Sequence, residues 1–241
     1  MLCVALRQIR CMGDSSRRSL VTRLPSRLAV MRTIAAMLAP PVCALCGGRG
    51  QWLDEPWGLD LCEHCEQACP RWQPEALPFE SAFCLFRYTD PVDLMITRLK
   101  FREDLVFARV LGMLFARAWR TANRDRPECI VPMPLHTSRY RERGFCQTTE
   151  IARHIAPRLG LPIRSDLLQR VRATRAQSGL SAGERVVNLR GAFRVVAGRH
   201  VPRHVAVLDD VLTTGHTALA AFSALRDAGI ERIDVWCCAR A

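Results

Sequence analysis

Two adjacent carboxylates and a run of hydroxyl side chains lie within one short stretch, Val205 to Thr217, with the sequence VAVLDDVLTTGHT. Its first four residues are apolar and predict a buried strand of a parallel sheet that ends at Leu208. Asp209 and Asp210 follow directly. In open α/β sheets, ligands bind beyond the carboxyl ends of the strands, so we expect these acids to face a ligand.

The threonine-rich part of this stretch has the composition of a phosphate-binding loop. Its hydroxyl groups and backbone amides precede a predicted helix, whose dipole attracts an anion. Gly215 allows the backbone to approach that anion closely. Adjacent carboxylates would repel a phosphate unless they hold ribose hydroxyls or a Mg²⁺ ion, and the alternative is an ordinary strand–turn–helix with a solvated acidic turn. The predicted loop residues are Thr213, Thr214, Gly215, His216 and Thr217.

A second constellation consists of cysteines in two C-x2-C pairs separated by fifteen residues. This is the spacing of a four-thiolate zinc site, in which a structural metal replaces the core that so short a segment cannot build. The chain has 12 cysteines, and thiolate ligands imply a reducing compartment in which the others stay free. His64 and Cys69 are alternative ligands, and two unrelated pairs or disulfides are alternative interpretations. The predicted zinc ligands are Cys43, Cys46, Cys62 and Cys65.

Positive charge is concentrated in two parts of a chain whose formal net charge is +12. Residues 1–41 contain seven arginines and one aspartate, and residues 139–203 contain fourteen arginines and four acidic residues. Such blocks favour anionic partners, either phosphates or nucleic acid. Lys100 is the only lysine among 35 basic residues, so a coding bias toward arginine contributes to this pattern.

Apolar spacing predicts the elements that position these residues. Short apolar runs alternate with segments of helical periodicity, which is typical of an α/β fold with a mainly parallel sheet. No apolar run reaches the roughly 18 residues that a membrane-spanning helix requires, so an integral membrane protein is not expected. Strands are predicted at 81–88, 129–133, 204–208 and 233–238, and helices from residue 90 and at 103–119, 145–159 and 215–228.

The composition divides the chain into four parts. Residues 1–30 form a basic arm that is predicted to be disordered. The arm also resembles a transit peptide in composition, and translation from Met31 is an alternative explanation for it. A zinc ribbon is expected at 31–70, followed by a proline-punctuated linker at 71–80 and a ligand-binding α/β domain at 81–241.

The stretch 205–217 resembles, at every class of position, the phosphoribosyl pyrophosphate signature of the type I phosphoribosyltransferases. The resemblance implies a type I phosphoribosyltransferase-like parallel sheet, with Asp209 and Asp210 as catalytic carboxylates that contact the ribose hydroxyls. It also implies that the loop 213–217 holds the 5′-phosphate and that magnesium accompanies the ligand.

A longer resemblance covers about residues 31–241. The run VPMPLHTSRYRERGFCQTTEIA, Val131 to Ala152, resembles the VPVPL…R…RGFNQ segment of the ComF family, which also shares the N-terminal zinc ribbon. Cys146 departs from this pattern, because the family usually has asparagine there. Further matching residues are Arg172, Ala173, Thr174, Gln177, Leu180, Arg185, Asn188, Gly191, Ala192 and Phe193.

Turn residues and basic residues of these segments are candidate contacts for the pyrophosphate. Pro134 and Leu135 follow a strand end, where backbone amides can face an anion. Arg139 and Arg143 can pair bidentately with phosphate oxygens, and a solvated basic helix face is the alternative. Lys100 lies in LKF, which is similar to the LKY stretch of the family, and is a further candidate, with a plain surface position as the alternative.

ComF family members include the competence proteins of DNA uptake in natural transformation and proteins described as amidophosphoribosyltransferases. The resemblance implies a cytoplasmic phosphoribosyltransferase of unknown acceptor, with peripheral attachment at the inner membrane and the DNA-uptake machinery as further expectations. No glutamine-hydrolysing domain fits before residue 80, so only the ribosyl half of the amidotransferase reaction is expected. The alternative function is a non-catalytic module that binds single-stranded DNA, with Trp52 and Trp57 stacking on bases unless they pack in the ribbon core.

Overall fold

The computed structural model describes residues 40–52, 58–172, 191–196 and 201–241. The strands are β1 (Ala82–Arg87), β2 (Cys129–Pro132), β3 (Leu168–Arg170), β4 (Phe193–Val195), β5 (His204–Leu212) and β6 (Arg232–Arg240). The helices are α1 (Glu63–Gln67), α2 (Val92–Arg102), α3 (Val106–Thr121), α4 (Thr137–Arg143), α5 (Gln147–Leu159) and α6 (His216–Asp227).

A parallel sheet lies at the centre of the described chain, with its strands in the order β1-β6-β5-β2. Most residues of the two central strands are buried, as expected for strands that are covered on both faces. This arrangement confirms the prediction of an α/β fold with a parallel sheet. The short strands β3 and β4 pair with each other in an antiparallel manner, and the sequence did not predict them.

Helices cover both faces of the sheet. One buried cluster joins α2, α3 and α5 to the sheet, and Trp236 of β6 packs there against Phe115 and Trp119 at centroid distances of 5.3 and 5.2 Å. A second buried cluster joins α6, β3 and β4 to the opposite face. Within the described ranges, no helix has both the length and the apolar character needed to cross a bilayer.

The segment predicted as a linker lies along the outer edge of β1. The Trp72 amide donates a hydrogen bond to the Leu85 carbonyl (3.2 Å), and the Arg87 amide donates one to the Pro70 carbonyl (2.9 Å). Phe79 packs against the buried cluster beneath α6. The segment therefore extends the sheet by a short antiparallel strip and covers its edge.

Strand β5 is longer than the apolar pattern predicts. The expectation that it ends at Leu208 is wrong, because pairing with β6 continues as far as Leu212, which lies opposite Arg240. Asp209 and Asp210 consequently lie within the final half of the strand and not in a loop beyond it. Backbone pairing with β6 continues β5 through the two acids, because strand pairing depends on backbone groups and not on the polarity of the side chains.

Candidate functional site

Four sulfur atoms come together in the segment before β1. The first C-x2-C pair lies on a turn, and the second lies at the start of α1, where the Cys62 sulfur accepts a hydrogen bond from the Cys65 amide (3.4 Å). Cys46 Sγ and Cys62 Sγ are 3.7 Å apart, close to the roughly 3.8 Å edge of a tetrahedron with Zn–S bonds of about 2.3 Å. The cysteine cluster consists of Cys43, Cys46, Cys62 and Cys65, whose Sγ atoms all lie within 4.8 Å of one another.

The four predicted ligands are sufficient for the cysteine cluster to hold a metal ion. The two alternative ligands, His64 and Cys69, are not needed. His64 is not part of the cluster, and the thiol of Cys69 instead donates a hydrogen bond to the Cys65 carbonyl (3.2 Å). Burial raises the pKa of Cys43, but neighbouring backbone amides, that of Cys46 foremost, outweigh it and lower the pKa to about 6. Amides that favour the thiolate favour the form of cysteine that binds metal.

Two arginines of α3 hold the cysteine-bearing segment against the sheet domain. The Arg109 guanidinium pairs with the Asp60 carboxylate and donates a hydrogen bond to the Gly58 carbonyl (2.8 Å). Arg117 pairs with the Glu66 carboxylate. Leu59 and Leu61, which lie between the two cysteine pairs, are buried in the same cluster as α3. The segment is thus packed onto the α/β domain by both apolar and charged contacts.

The two adjacent acids of β5 form the second candidate site. Asp210 is buried, at 4% exposure, and its Oδ2 lies 2.7 Å from Lys100 Nζ in the last turn of α2. Asp210 Oδ1 accepts a hydrogen bond from the Val211 amide (2.8 Å), and Asp209 Oδ1 accepts one from the Asp210 amide (2.9 Å). Lys100 therefore is not a plain surface residue, because it is the charge partner of a buried carboxylate.

The negative charges of the two neighbouring acids repel each other. Burial raises the pKa of Asp209 to about 7; the Asp210 charge adds to the rise and the Lys100 ammonium opposes it. Burial lowers the pKa of Lys100, but the Asp210 carboxylate outweighs burial, and the net direction is upward. Near neutral pH this site therefore holds a protonated lysine, with Asp209 poised between its two charge states.

Arg143, at the end of α4, is a predicted arginine whose charge interacts with that of Asp210. Its Nη1 donates a hydrogen bond to Gln147 Oε1 (2.6 Å), and its guanidinium lies over the Phe101 ring at 5.5 Å. Burial lowers the pKa of Arg143, and the Asp210 charge raises it. The name carboxylate site is used for the group formed by Asp209, Asp210, Lys100 and Arg143.

Two further arginines stand at the edge of the carboxylate site. Arg139 is exposed on α4, and its charge acts on both Arg143 and Arg170. Arg170 ends β3, and burial lowers its pKa while the Asp209 charge raises it. Arg170 has no individual signal in the sequence, because it is one member of a long basic block. The structure brings it close enough to Asp209 for their charges to interact.

The predicted phosphate loop connects β5 to α6. Thr213 and Thr214 are exposed, and Thr214 Oγ1 lies 2.9 Å from His216 Nδ1. Gly215 has φ of +78°, and a Cβ added there would lie 3.0 Å from the ring of Phe79, so glycine fits this position on both counts. No side chain caps α6, which begins at His216 with Thr217 in its first turn. Thr213, Thr214 and Gly215 form the connection, and His216 and Thr217 belong to the first turn of α6.

Pro134 and Leu135 lie at the end of β2, next to β5. The Met133 amide donates a hydrogen bond to the Leu208 carbonyl (2.8 Å), so the backbone turn begins immediately beside the acids. The Met133 carbonyl accepts a hydrogen bond from Thr148 Oγ1 (2.8 Å). Cys146, at the start of α5, places its sulfur 3.6 Å from the same carbonyl. The Cys146 side chain is buried against the turn and stabilises it.

Several predicted residues are not part of these sites or are not described. Trp52 is 41% exposed on the cysteine-bearing segment, remote in sequence from the acids. Trp57, the arm 1–30 and the resemblance residues between Ala173 and Asn188 lie outside the described residues.

Solved structures with a similar chain path are adenine phosphoribosyltransferases. The enzyme from Leishmania tarentolae has a TM-score of 0.39 and 17% identity, with 67% of this chain and 77% of that chain covered. The enzyme from Leishmania donovani has a TM-score of 0.35 and 13% identity, with 68% of this chain and 86% of that chain covered. No family model matches the sequence.

Curated proteins give stronger matches across most of the chain. The "DNA utilization protein YhgH" of Salmonella typhimurium is 34% identical over 186 residues, which are 74% of this chain and 77% of the relative. The "Competence protein ComFC" of Streptococcus pneumoniae is 25% identical over 167 residues, which are 69% and 71% of the two chains. The "Competence protein F" of Haemophilus influenzae is 33% identical over 207 residues, 83% of this chain and 85% of the relative. With identity at that level over more than four-fifths of both sequences, the chain belongs to the ComF family of competence proteins.

Proposed function

We propose that this chain binds phosphoribosyl pyrophosphate together with Mg²⁺ at the carboxylate site and transfers the phosphoribosyl group to an acceptor. The observation that carries the proposal is the position of Asp209 and Asp210 in the last four residues of β5, which leads into a hydroxyl-rich segment at the start of α6. Carboxylates suit ribose hydroxyls and Mg²⁺, whereas hydroxyl groups and helix amides suit phosphate. The carboxylates and the hydroxyl groups lie in one continuous segment, so a single sugar phosphate can contact both.

In the proposed complex, the 5′-phosphate lies on the turn 213–217 and the ribose hydroxyls lie on the two carboxylates. The pyrophosphate then extends toward the turn at Pro134 and Leu135, whose backbone starts beside β5. Arg143 and Arg139 border that region and supply positive charge. The two carboxylates would help to hold Mg²⁺ with the ligand, and this ion would supply charge neutralisation at the pyrophosphate oxygens.

The chemistry follows from where charge develops. When the bond between the anomeric carbon and the pyrophosphate oxygen breaks, positive charge forms on the ribose ring and negative charge on the leaving group. Asp209 and Asp210 stabilise the ring, while Arg143 and Lys100 stabilise the pyrophosphate. Lys100 is already paired with Asp210 at 2.7 Å before the ligand arrives.

We further propose a role in DNA uptake within the cytoplasm. Relatives that match most of the chain are named for competence and for DNA utilization. Reduced thiolates of the kind that the cysteine cluster would provide persist in a reducing compartment. Single-stranded DNA binding is the second candidate function, and the exposed face of α4 with Arg139, Tyr140 and Arg141 favours it.

Calorimetric titration with phosphoribosyl pyrophosphate and Mg²⁺, followed by an assay of pyrophosphate release, tests the first function. The wild-type chain should bind, Asp209→Asn should bind at least tenfold more weakly, and Asp227→Asn should bind normally because this carboxylate is exposed at the far end of α6. Absence of binding by a demonstrably folded wild-type chain would reject the function. Binding to single-stranded DNA that survives Asp209→Ala and falls steeply with salt would favour the second candidate.

We propose that the cysteine cluster holds one structural zinc ion. Its sulfur spacing matches tetrahedral thiolate coordination, and its segment is too small to fold around a core of its own. Elemental analysis of the purified chain should give one zinc per molecule, and Cys65→Ser should lower this content. A folded chain without bound zinc would overturn the assignment.

A further inference from the structure

An aromatic side chain is displayed to solvent at the rim of the carboxylate site. Phe101 is 70% exposed, although it follows Lys100 directly in the last turn of α2. Single exposed apolar side chains are common on protein surfaces, and this ring differs from them by the charged group that packs on it. The other exposed apolar residues near α2 are Leu94, at 44%, and Leu105, at 48%.

The ring of Phe101 is not isolated. The Arg143 guanidinium lies 5.5 Å from its centroid, and Arg143 is itself fixed by a 2.6 Å hydrogen bond to the buried Gln147. A guanidinium that packs on a ring steadies it and completes a flat surface of mixed aromatic and cationic character. Such a surface suits the π-face of a nucleobase, because bases stack on aromatic rings and cations attract the attached phosphate.

The position of Phe101 relates this surface to the proposed sugar-phosphate site. Its neighbour Lys100 contacts Asp210 at 2.7 Å, and its partner Arg143 interacts electrostatically with the same carboxylate. Through Lys100 and Arg143, the ring of Phe101 is therefore connected to the same carboxylate at which the proposed ribose lies.

We propose that Phe101, steadied by Arg143, is a stacking platform for the nucleobase of a nucleotide whose phosphorylated sugar lies at the carboxylate site. The inference rests on the proposed function, since it takes the sugar-phosphate position from it. The ligand chemistry is a base on a phosphorylated sugar, and its source is either a free 5′-mononucleotide or one unit of a single DNA strand.

The test compares ligands with and without a base. Phosphoribosyl pyrophosphate with Mg²⁺ lacks a base, adenosine 5′-monophosphate carries one, and a six-nucleotide oligothymidylate represents the strand. Each is titrated into wild type, Phe101→Ala, Phe101→Trp and the matched control Leu94→Ala. Leu94 lies on the same face of α2, two turns before Phe101, and is likewise exposed to solvent.

Phe101→Ala should weaken a base-bearing ligand about 5- to 100-fold more than it weakens the base-free one, the loss expected for one stacked base. Phe101→Trp should restore the affinity, and Leu94→Ala should leave all three affinities as in wild type. A loss confined to the mononucleotide identifies a free nucleotide as the source, and a loss confined to the oligonucleotide identifies the strand. Thermal melting of each variant confirms folding, which substitution of so exposed a side chain should not disturb.

Three results separate this inference from the proposed function. Equal losses for base-free and base-bearing ligands in Phe101→Ala, or no loss at all, would overturn the platform. If wild type binds phosphoribosyl pyrophosphate but neither base-bearing ligand, the platform fails and the proposed function stands. If wild type binds a base-bearing ligand through Phe101 but not phosphoribosyl pyrophosphate, the proposed function fails and the platform stands.

Discussion

Replacing Asp209 with asparagine should stabilise the folded protein above neutral pH. Burial, reinforced by the neighbouring Asp210 charge, raises the pKa of Asp209 from 3.8 to about 7. Between these two pH values the folded chain retains a proton on Asp209 that the unfolded chain has released. Asparagine is uncharged at every pH, and its oxygen can keep the 2.9 Å hydrogen bond from the Asp210 amide.

The size of the effect follows from linkage. Because the folded-state pKa is raised, the wild type has the full contribution of this group below pH 3.8 and loses it as the pH rises to about 7. At about 1.4 kcal/mol per pH unit, the interval between the two values sets a ceiling of about 4 kcal/mol. Water screens this half-buried side chain, so we expect a gain of about 2 kcal/mol at pH 8 and about 1 kcal/mol or less at pH 5.

Urea unfolding followed by tryptophan fluorescence at both pH values measures the difference. Asp227→Asn provides the control, because this exposed carboxylate should change stability little at either pH. A gain in free energy of unfolding that is equal at pH 5 and pH 8, or a loss at pH 8, would show that burial of the Asp209 charge is not what strains this site. Stability gained at the expense of ligand binding is the signature expected of a binding carboxylate.

Three other perturbations have defined outcomes. Lys100→Met leaves Asp210 buried without its ammonium partner and should lower the free energy of unfolding at pH 8 by about 3 kcal/mol, with Lys100→Arg losing less, as measured by urea titration. Gly215→Ala forces a Cβ into a position with φ of +78° and 3.0 Å from Phe79; it should cost about 1–2 kcal/mol in the same assay, and no cost would contradict the backbone geometry. Removal of metal from the cysteine cluster by a thiol-compatible chelator should lower the melting temperature by roughly 10 °C, reversed by zinc but not by magnesium, and an unchanged melting curve would exclude a structural metal.

Local sequence patterns were sufficient for the parts of the molecule that depend on local chemistry. The cysteine spacing predicted four sulfurs that do converge, because each C-x2-C pair needs only its own turn and the segment between them needs only to return. The apolar runs predicted the central strands and the α/β class, since strands covered on both faces are mainly apolar.

Contacts between distant segments could not be predicted in this way. Arg170 follows an unremarkable polar stretch, and only its pairing with Phe193 in a two-stranded sheet places it near Asp209. The same holds for Lys100, because the 2.7 Å contact with Asp210 depends on how α2 packs on the sheet. Side-chain polarity likewise misplaced the end of β5, which is set by its partner strand β6.

The extension of β5 has a consequence for how the carboxylate site is assembled. Consecutive residues of a strand point to opposite faces, so Asp209 and Asp210 diverge when they lie in β5, whereas in a loop they could face the same way. The two cations, Lys100 and Arg170, come from elements that pack on opposite faces of the sheet. Lys100 reaches Asp210 from α2, which packs in one buried cluster, and the charge of Arg170 interacts with Asp209 from β3, which packs in the other. The charge balance of the site therefore depends on the packing of both faces of the sheet.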